Sequence, residues 1–312
     1  MTSVTQDLVI RALTDGEPSK GDTALFHSMD DPGLVGRVIT GVDYRTFAEG
    51  GDYDPARTWV ALRAGRVVAR AAWWGAPDDA EPVNLNWFDV SPDDLEAGVE
   101  LLKQAPYDVE YELILPADWE ERPEVRAAAE ARMEAARQAG MRLLVERFRY
   151  RWTPENGVPE RPGRLEFRAE PDDAVVLDVL RRVHSATLDA HALRAVEEGG
   201  LDQAAREELD FFHWCPSPRS WLRLAYTKDG GDVVGIHVPA YNHSGPIIGF
   251  IGVVPEQRGR GYAYDLLVES TRFLVEQGAE AIDAATDQGN VPMAANFTKA
   301  GYPVTQKRVH YV

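Results

Sequence analysis

The chain has 312 residues, with 33 Lys and Arg against 51 Asp and Glu, and a formal net charge of −18. Such an acidic surface lacks the basic footprint of a general nucleic-acid binder. It suits attraction of a cationic amine as well as plain solubility. No apolar run approaches the roughly 20 residues needed to span a bilayer. Residues 1–7 carry neither a basic region nor an apolar segment of signal-peptide length, so a cytoplasmic protein without membrane contact is expected. The one cysteine, Cys215, excludes an intrachain disulfide and a thiolate zinc cluster, and it reads as a packed thiol. The length favours two domains.

In chain order, residues 8–13 read as a strand, followed by helical and loop sequence to about Asp54. Residues 58–63 and 66–74 alternate around Ala64-Gly65 as a hairpin. A strand over 82–90 leads into Ser91-Pro92-Asp93-Asp94, a helix entry with acidic residues in its first turn, and the helix runs to about Gln104. Residues 109–115 are a strand. A helix over 123–139 stops at Gly140, and residues 143–152 form a strand. Three prolines and two glycines among polar residues mark 153–163 as a linker.

The second half repeats this order. A strand over 164–169 is followed by a helix from Pro171 to about Ala190 and a second from about Asp202 to Phe212. Strands over 220–227 and 233–241 flank a turn at 229–232. The apolar, β-branched run at 247–254 then meets Pro255 and a glycine-spaced loop, Arg258-Gly259-Arg260-Gly261, which runs into a helical pattern from Tyr262 to Leu274. A strand over 281–286, a helix over 291–300 stopped by Gly301, and a strand over 307–312 complete the chain.

The strand, glycine-rich turn and helix start form an anion site. The first turn of a helix has unpaired N–H groups and partial positive charge. Gly259 and Gly261 remove side-chain bulk there, and Arg258 and Arg260 add charge. The spacing Arg258-x-x-Gly261-x-Ala263 behind a buried strand resembles the pyrophosphate-binding motif of the GCN5-related N-acetyltransferase (GNAT) superfamily. A Walker-type Gly-x-x-x-x-Gly-Lys-Ser/Thr loop is absent from the sequence, and Gly259-x-Gly261 lacks the third glycine of a dinucleotide fingerprint.

The half-ends also superpose. Met133-Glu134-Ala135-Ala136 through Gly140 lies over Met293-Ala294-Ala295-Asn296 through Gly301. Arginine follows each glycine at seven residues (Arg147, Arg308) and tyrosine at ten (Tyr150, Tyr311). This indicates internal duplication. Where the second copy has its glycine loop, the first has Ser91-Pro92-Asp93-Asp94-Leu95-Glu96, whose carboxylates would repel a pyrophosphate. The whole resembles tandem-GNAT proteins. The expected fold is therefore α+β, in two tandem domains, each a mixed, mostly antiparallel sheet flanked by helices. Residues 1–152 form a degenerate copy that does not bind coenzyme A, 153–163 a linker, and 164–312 the acetyl-CoA-binding copy.

The resemblance implies direct acetyl transfer from acetyl-CoA to a primary amine of a small molecule, without a metal, in a monomer or homodimer. It places acetyl-CoA on Val253, Val254, Arg258, Gly259, Arg260, Gly261, Tyr262 and Ala263. A main-chain N–H near Val253 would polarise the thioester carbonyl. Asn290, eleven residues before Gly301-Tyr302, matches a cofactor-contacting asparagine of the family and equally suits a helix cap. Phe297 stands where many members have a proton-donating tyrosine. The usual strand position for a general base is empty, because 247–254 contains no Asp or Glu. His237, Asp287 and the Val312 carboxylate are the candidates, with core packing and helix capping as alternative roles for the first two. Trp73, Trp74, Trp87 and Tyr111 would line the acceptor cleft or sit in a core. The alternatives to acetyl transfer are a non-catalytic acyl-CoA-binding protein and a transferase using another acyl-CoA.

Overall fold

Local sequence rules set the first elements of the chain. β1 (Leu8–Ala12) pairs antiparallel with β2 (Tyr53–Arg63), which returns as β3 (Arg66–Trp74). Ala64 and Gly65 between them have φ of 52° and 77°, the hand that a tight hairpin turn between twisted strands requires. α1 (Lys20–His27) lies between β1 and β2 in the chain. The computed structural model describes residues 7–13, 20–228 and 231–312; the turn expected at 229–232 lies partly outside them.

β4 (Asn84–Val90), α2 (Leu95–Gln104), β5 (Tyr111–Pro116), α3 (Pro123–Ala139) and β6 (Leu143–Trp152) follow. α3 starts on proline and ends at Gly140 with φ 104°, so both boundaries follow from residue type. Next come β7 (Leu165–Ala169), α4 (Asp173–His184), α5 (Ala190–Trp214), β8 (Arg223–Thr227), β9 (Val233–Asn242) and β10 (Gly245–Val253). The chain closes with α6 (Tyr262–Glu276), β11 (Ile282–Asp287), α7 (Val291–Lys299) and β12 (Val304–Tyr311).

Two compact units result, one of residues 1–145 with 306–312, the other of residues 146–305. In the first, the strand order is β1-β2-β3-β4-β5-β12. β4 and β5 are parallel at Leu85↔Tyr111 and the other pairs are antiparallel. In the second, the order is β7-β8-β9-β10-β11-β6. There β10 and β11 are parallel at Ile247↔Asp283 and the rest antiparallel. Each sheet is thus a four-stranded meander, a helical crossover, a parallel fifth strand and an antiparallel sixth.

The sixth strands are exchanged. β12, at the end of the chain, pairs with β5 from Gln306↔Pro116 to Tyr311↔Tyr111. β6, from the first half, pairs with β11 from Ile282↔Trp152 to Asp287↔Arg147. The duplicated Gly-x6-Arg-x2-Tyr pattern therefore marks equivalent strands, but each strand completes the sheet of the other half. A cut at residues 152 and 164 does not follow the compact units.

The helix expected to reach Ala190 stops at His184. Asp189 caps a new helix instead, its carboxylate accepting from the Ala192 amide, and this second helix starts well before Asp202. α5 is broken at Gly200 (φ 80°, ψ 174°), a backbone region open essentially only to glycine. α4 buries Val176, Val179, Leu180 and Val183, a helical-period stripe. They form one core with Ala205, Leu209 and Phe212 of α5 and Leu224, Ile236 and Val238 of the sheet. Each such fully buried Val, Leu, Ile or Phe contributes about 1.5–3 kcal/mol by leaving water.

Candidate functional site

The end of β10 is set by two features. Val254 donates its amide to the Val234 carbonyl at 3.0 Å. By the alternation of an antiparallel ladder, the N–H and C=O groups of Ile251 and Val253 then point away from β9. On that side β11 is in register only at Ile247↔Asp283, so the pairing does not continue to Val253. A row of strand amides beside an unpaired interval is the geometry a ligand can join as an added strand.

Pro255–Gln257 make a short turn, and Gly259 and Gly261 both lie in the left-handed region, φ 77° and 76°. Gly261 is the N-cap of α6 and supplies no side-chain cap. The amides of Gly259, Arg260, Gly261, Tyr262 and Ala263 consequently donate to no acceptor among the described residues. Successive unpaired N–H groups at a helix start form an anion nest. Gly259, Arg260 and Gly261 are exposed, and the Arg260 guanidinium makes no ion pair among the described residues. Arg164 holds the loop from behind. Its Nη1 donates to the Arg260 carbonyl at 2.9 Å, its Nη2 to the Gly261 carbonyl at 3.2 Å, and its Nε to buried Asp265 at 2.8 Å. With the carbonyls anchored on one side, the amides face the other. The Arg164 guanidinium also lies 4.9 Å from the Tyr262 ring centre. No sequence motif pointed to Arg164, which lies far from the loop in the chain.

Several expected site residues have other work. The Arg258 guanidinium faces inward, not toward the nest: Nε donates to the Val253 carbonyl at 3.0 Å, Nη2 to the Val183 carbonyl at 3.2 Å, and Nη1 to the Ala186 carbonyl. It ties the end of β10 to the end of α4. Val254 is core, with its amide already paired. His237 is fully buried, its Nδ1 2.8 Å from Ser270 Oγ and its ring against Phe167. Burial, with Arg223 adding to it, pushes its pKa down to about 3. A base must reach its substrate, so His237 is a core group and not the catalytic base. Asp287 accepts from the Ala190 amide at 2.7 Å and pairs with Arg147 Nε at 2.9 Å, which makes it an anchor for α5. Asn290 caps α7 by accepting from the Met293 amide. Phe297 is buried and stacked on Tyr150 at 4.4 Å, with Tyr302 on its edge; its ring belongs to the core. Val312 pairs with Arg142 inside the first unit through both backbone bonds. Trp73, Trp87 and Tyr111 are buried in first-unit cores, and Cys215 is buried as expected.

In the first unit the equivalent interval is filled. Arg132 donates from Nε to the Phe88 carbonyl of β4 at 3.0 Å and pairs with Asp89 at 2.8 Å and Asp31 at 2.5 Å. The Gly36 amide donates to the Ile114 carbonyl of β5 at 2.7 Å. Burial pushes the Asp89 carboxyl up, but Arg132 and Arg70 outweigh it and hold the group down at about 2. A side chain and a loop thus occupy the backbone positions that β10 and β11 leave open.

A fork between two parallel strands beside an anion nest at a helix start has the geometry to take an extended ligand that carries an anionic group. Residues 188–302 match the family model described as acetyltransferase (GNAT) family. Mycothiol acetyltransferase of Pseudarthrobacter chlorophenolicus is 30% identical over 188 residues, 55% of this chain and 54% of that protein. Mycothiol acetyltransferase of Corynebacterium glutamicum is 27% identical over 190 residues, 55% of this chain and 63% of that protein. The matched region thus spans just over half the length of these curated relatives. Among solved structures, a GCN5-related N-acetyltransferase from Sphaerobacter thermophilus has a TM-score of 0.54 at 16% identity, covering 97% of this chain and 94% of its own. A GCN5-related glucosamine N-acetyltransferase region of a fungal multi-domain β-N-acetylglucosaminidase has a TM-score of 0.50 at 14% identity, covering 98% of this chain and 38% of its own. At these identities the structures establish the GNAT fold. The expected α+β architecture is borne out. Among the described residues no helix is long and apolar enough to cross a membrane.

Proposed function

We propose that the chain is an N-acetyltransferase whose second unit binds acetyl-CoA and moves the acetyl group to a primary amine of a small molecule. One observation carries this reading: the run of amides from Gly259 to Ala263 that are unpaired among the described residues, beside the exposed Arg260. The pyrophosphate would sit on that nest. The pantetheine arm would lie along β10, and the N–H of Val253 would face the thioester oxygen. Such a preorganised donor typically lowers the barrier by about 3–4 kcal/mol. The Asn290 side-chain amide, whose oxygen caps α7, keeps its N–H donors for the cofactor. The first unit, its interval filled by Arg132 and Gly36, binds no cofactor.

In this mechanism the chain binds and orients two reactants. A neutral amine attacks the acetyl carbonyl, the strand amides stabilise the oxyanion, and the C–S bond breaks to release the CoA thiolate. The buried ring of Phe297 donates no proton, so water protonates the thiolate. The relatives' name puts mycothiol chemistry among the acceptors to be screened. The test is release of CoA thiol from acetyl-CoA, measured with and without a panel of small amines. Amine-dependent release supports transfer. Binding of acetyl-CoA with no amine-dependent release would support the non-catalytic reading instead. Competition by longer acyl-CoA thioesters decides the donor.

A further inference from the structure

The two units correspond residue by residue at the end of the sheet where the parallel strands begin. The parallel pairs Leu85↔Tyr111 and Ile247↔Asp283 are equivalent, as are the helix-ending glycines Gly140 and Gly301. Counted from them, Leu102 and Tyr107 of the first unit match Leu274 and Ala279 of the second, and Ala139 and Met141 match Ala300 and Tyr302. In the second unit those four residues share a core with the fully buried Trp152. Its indole N–H donates to the Gly157 carbonyl at 2.9 Å. In the first unit the four counterparts line a cavity of about 390 Å³, a size common among small-molecule sites. The second copy keeps an indole where the first keeps space.

The walls of this cavity carry unmet hydrogen-bonding capacity. Trp73 is 2% exposed and lines the space, and its indole N–H finds no acceptor among the described residues. Tyr107 packs against it, ring centres 5.2 Å apart at 49°, and donates its hydroxyl to the Ala56 carbonyl at 3.3 Å, which fixes the ring. Leu85, Leu102 and Met141 complete an apolar, aromatic wall. Two helices end at the same place. Pro106 has no N–H to give the Leu102 carbonyl, and the amides of Tyr107 and Asp108 do not return to Lys103 and Gln104. The last carbonyls of α2 therefore stay unpaired among the described residues, as do those of Gln138 and Ala139 at the end of α3. Such carbonyls carry partial negative charge that favours a cation. Asp108, exposed at the rim, adds a full negative charge and makes no ion pair among the described residues. Lys103, the opposing charge, is already paired with Glu100 at 3.3 Å.

We propose that this cavity binds a small aromatic amine as its ammonium ion, a flat ring joined by a short chain to a protonated nitrogen. The ring lies against Trp73 and Tyr107, in the place that the Trp152 side chain holds in the second unit. The ammonium donates to the carbonyls at the ends of α2 and α3, beside Asp108. The Trp73 N–H favours an electron-rich ring face such as that of indole. The net charge of −18 draws such a cation toward the protein. No bond is made or broken here, and the proposal stands whether or not the second unit transfers an acetyl group.

The test uses the full chain labelled with 15N at tryptophan. The indole cross-peak missing from Trp73→Phe identifies that of Trp73. The probes are tryptamine, indole-3-acetate and ethylamine, which supply ring with cation, ring with anion, and cation alone. Tryptamine should shift the Trp73 cross-peak saturably, with indole-3-acetate weaker by at least about fivefold and ethylamine weaker still. Two variants separate this cavity from an amine site elsewhere in the chain. Tyr107→Ala removes part of the aromatic wall, and Leu102→Trp puts an indole into the space. Each should weaken tryptamine by at least about tenfold in calorimetry. A Trp73 cross-peak unmoved by tryptamine overturns the proposal. So does indole-3-acetate or ethylamine acting as strongly as tryptamine, or wild-type tryptamine affinity in Tyr107→Ala.

Discussion

Gly261 separates what the loop does for folding from what it does for a ligand. Its φ of 76° lies in the left-handed region, and a Cβ there would meet only Arg164 Nη2, at 3.6 Å, an ordinary contact. Gly261→Ala therefore introduces no clash; its cost is backbone strain of about 1–2 kcal/mol. For a unit of this size that lowers Tm by roughly 2–8 °C. Gly261→Asp meets less strain, because aspartate tolerates the left-handed region, but it puts a carboxylate in the anion nest. Two unit charges about 4 Å apart repel by roughly 1 kcal/mol in water and about 4 kcal/mol near a protein surface. That predicts a loss of acetyl-CoA affinity from about fivefold to several hundredfold. The assay is calorimetric Kd for acetyl-CoA beside thermal melting of the same samples. The nest account requires the Asp variant to lose more affinity than the Ala variant while melting no lower. An Asp variant that binds acetyl-CoA like wild type would refute it.

The remaining predictions concern the groups around the site. His237 has a folded pKa near 3, below the ordinary 6.5, so the unfolded chain binds a proton first as pH falls. The stability it contributes is complete above about 6.5 and is lost progressively down to about 3, several kcal/mol in all; His237→Asn should flatten that acid limb in urea titrations. Arg132→Met leaves buried Asp31 without its cation and Asp89 with Arg70 alone, and should destabilise the first unit by about 3–5 kcal/mol, read as a lower denaturant midpoint. Phe297→Tyr adds a hydroxyl within the Tyr150–Tyr302 stack. It should lower stability by about 1–3 kcal/mol without raising the rate of thiol release, and a gain in rate would return that position to the active site.

Most element boundaries were legible because they rest on residue type: Pro123 and Gly140 bracket α3, and Ala64-Gly65 turn the first hairpin. The duplicated half-ends were legible as a repeat, but not the exchange of their strands. Strand pairing is a contact between residues far apart in sequence, and β12 would match either fifth strand by period alone. The glycine loop was legible because left-handed backbone and unpaired amides follow from local sequence. The role of Arg258 was misread for the opposite reason. A guanidinium beside a phosphate loop suggests phosphate, whereas its acceptors are carbonyls at Val183 and Ala186, some 70 residues earlier in the chain. Arg164 gave no motif at all; it matters only because the chain just before β7 brings it against the loop carbonyls. His237 shows the limit of alternation, which identified its face of β9 but not that Ser270 and Phe167 would bury it.

The measurement closest to the central claim is the stoichiometry of acetyl-CoA binding to the intact chain by calorimetry. A second unit with one open fork and a first unit plugged by Arg132 predicts one equivalent, abolished or strongly weakened by Arg260→Glu. Two equivalents would contradict the reading of the first unit, and no binding would contradict the site itself.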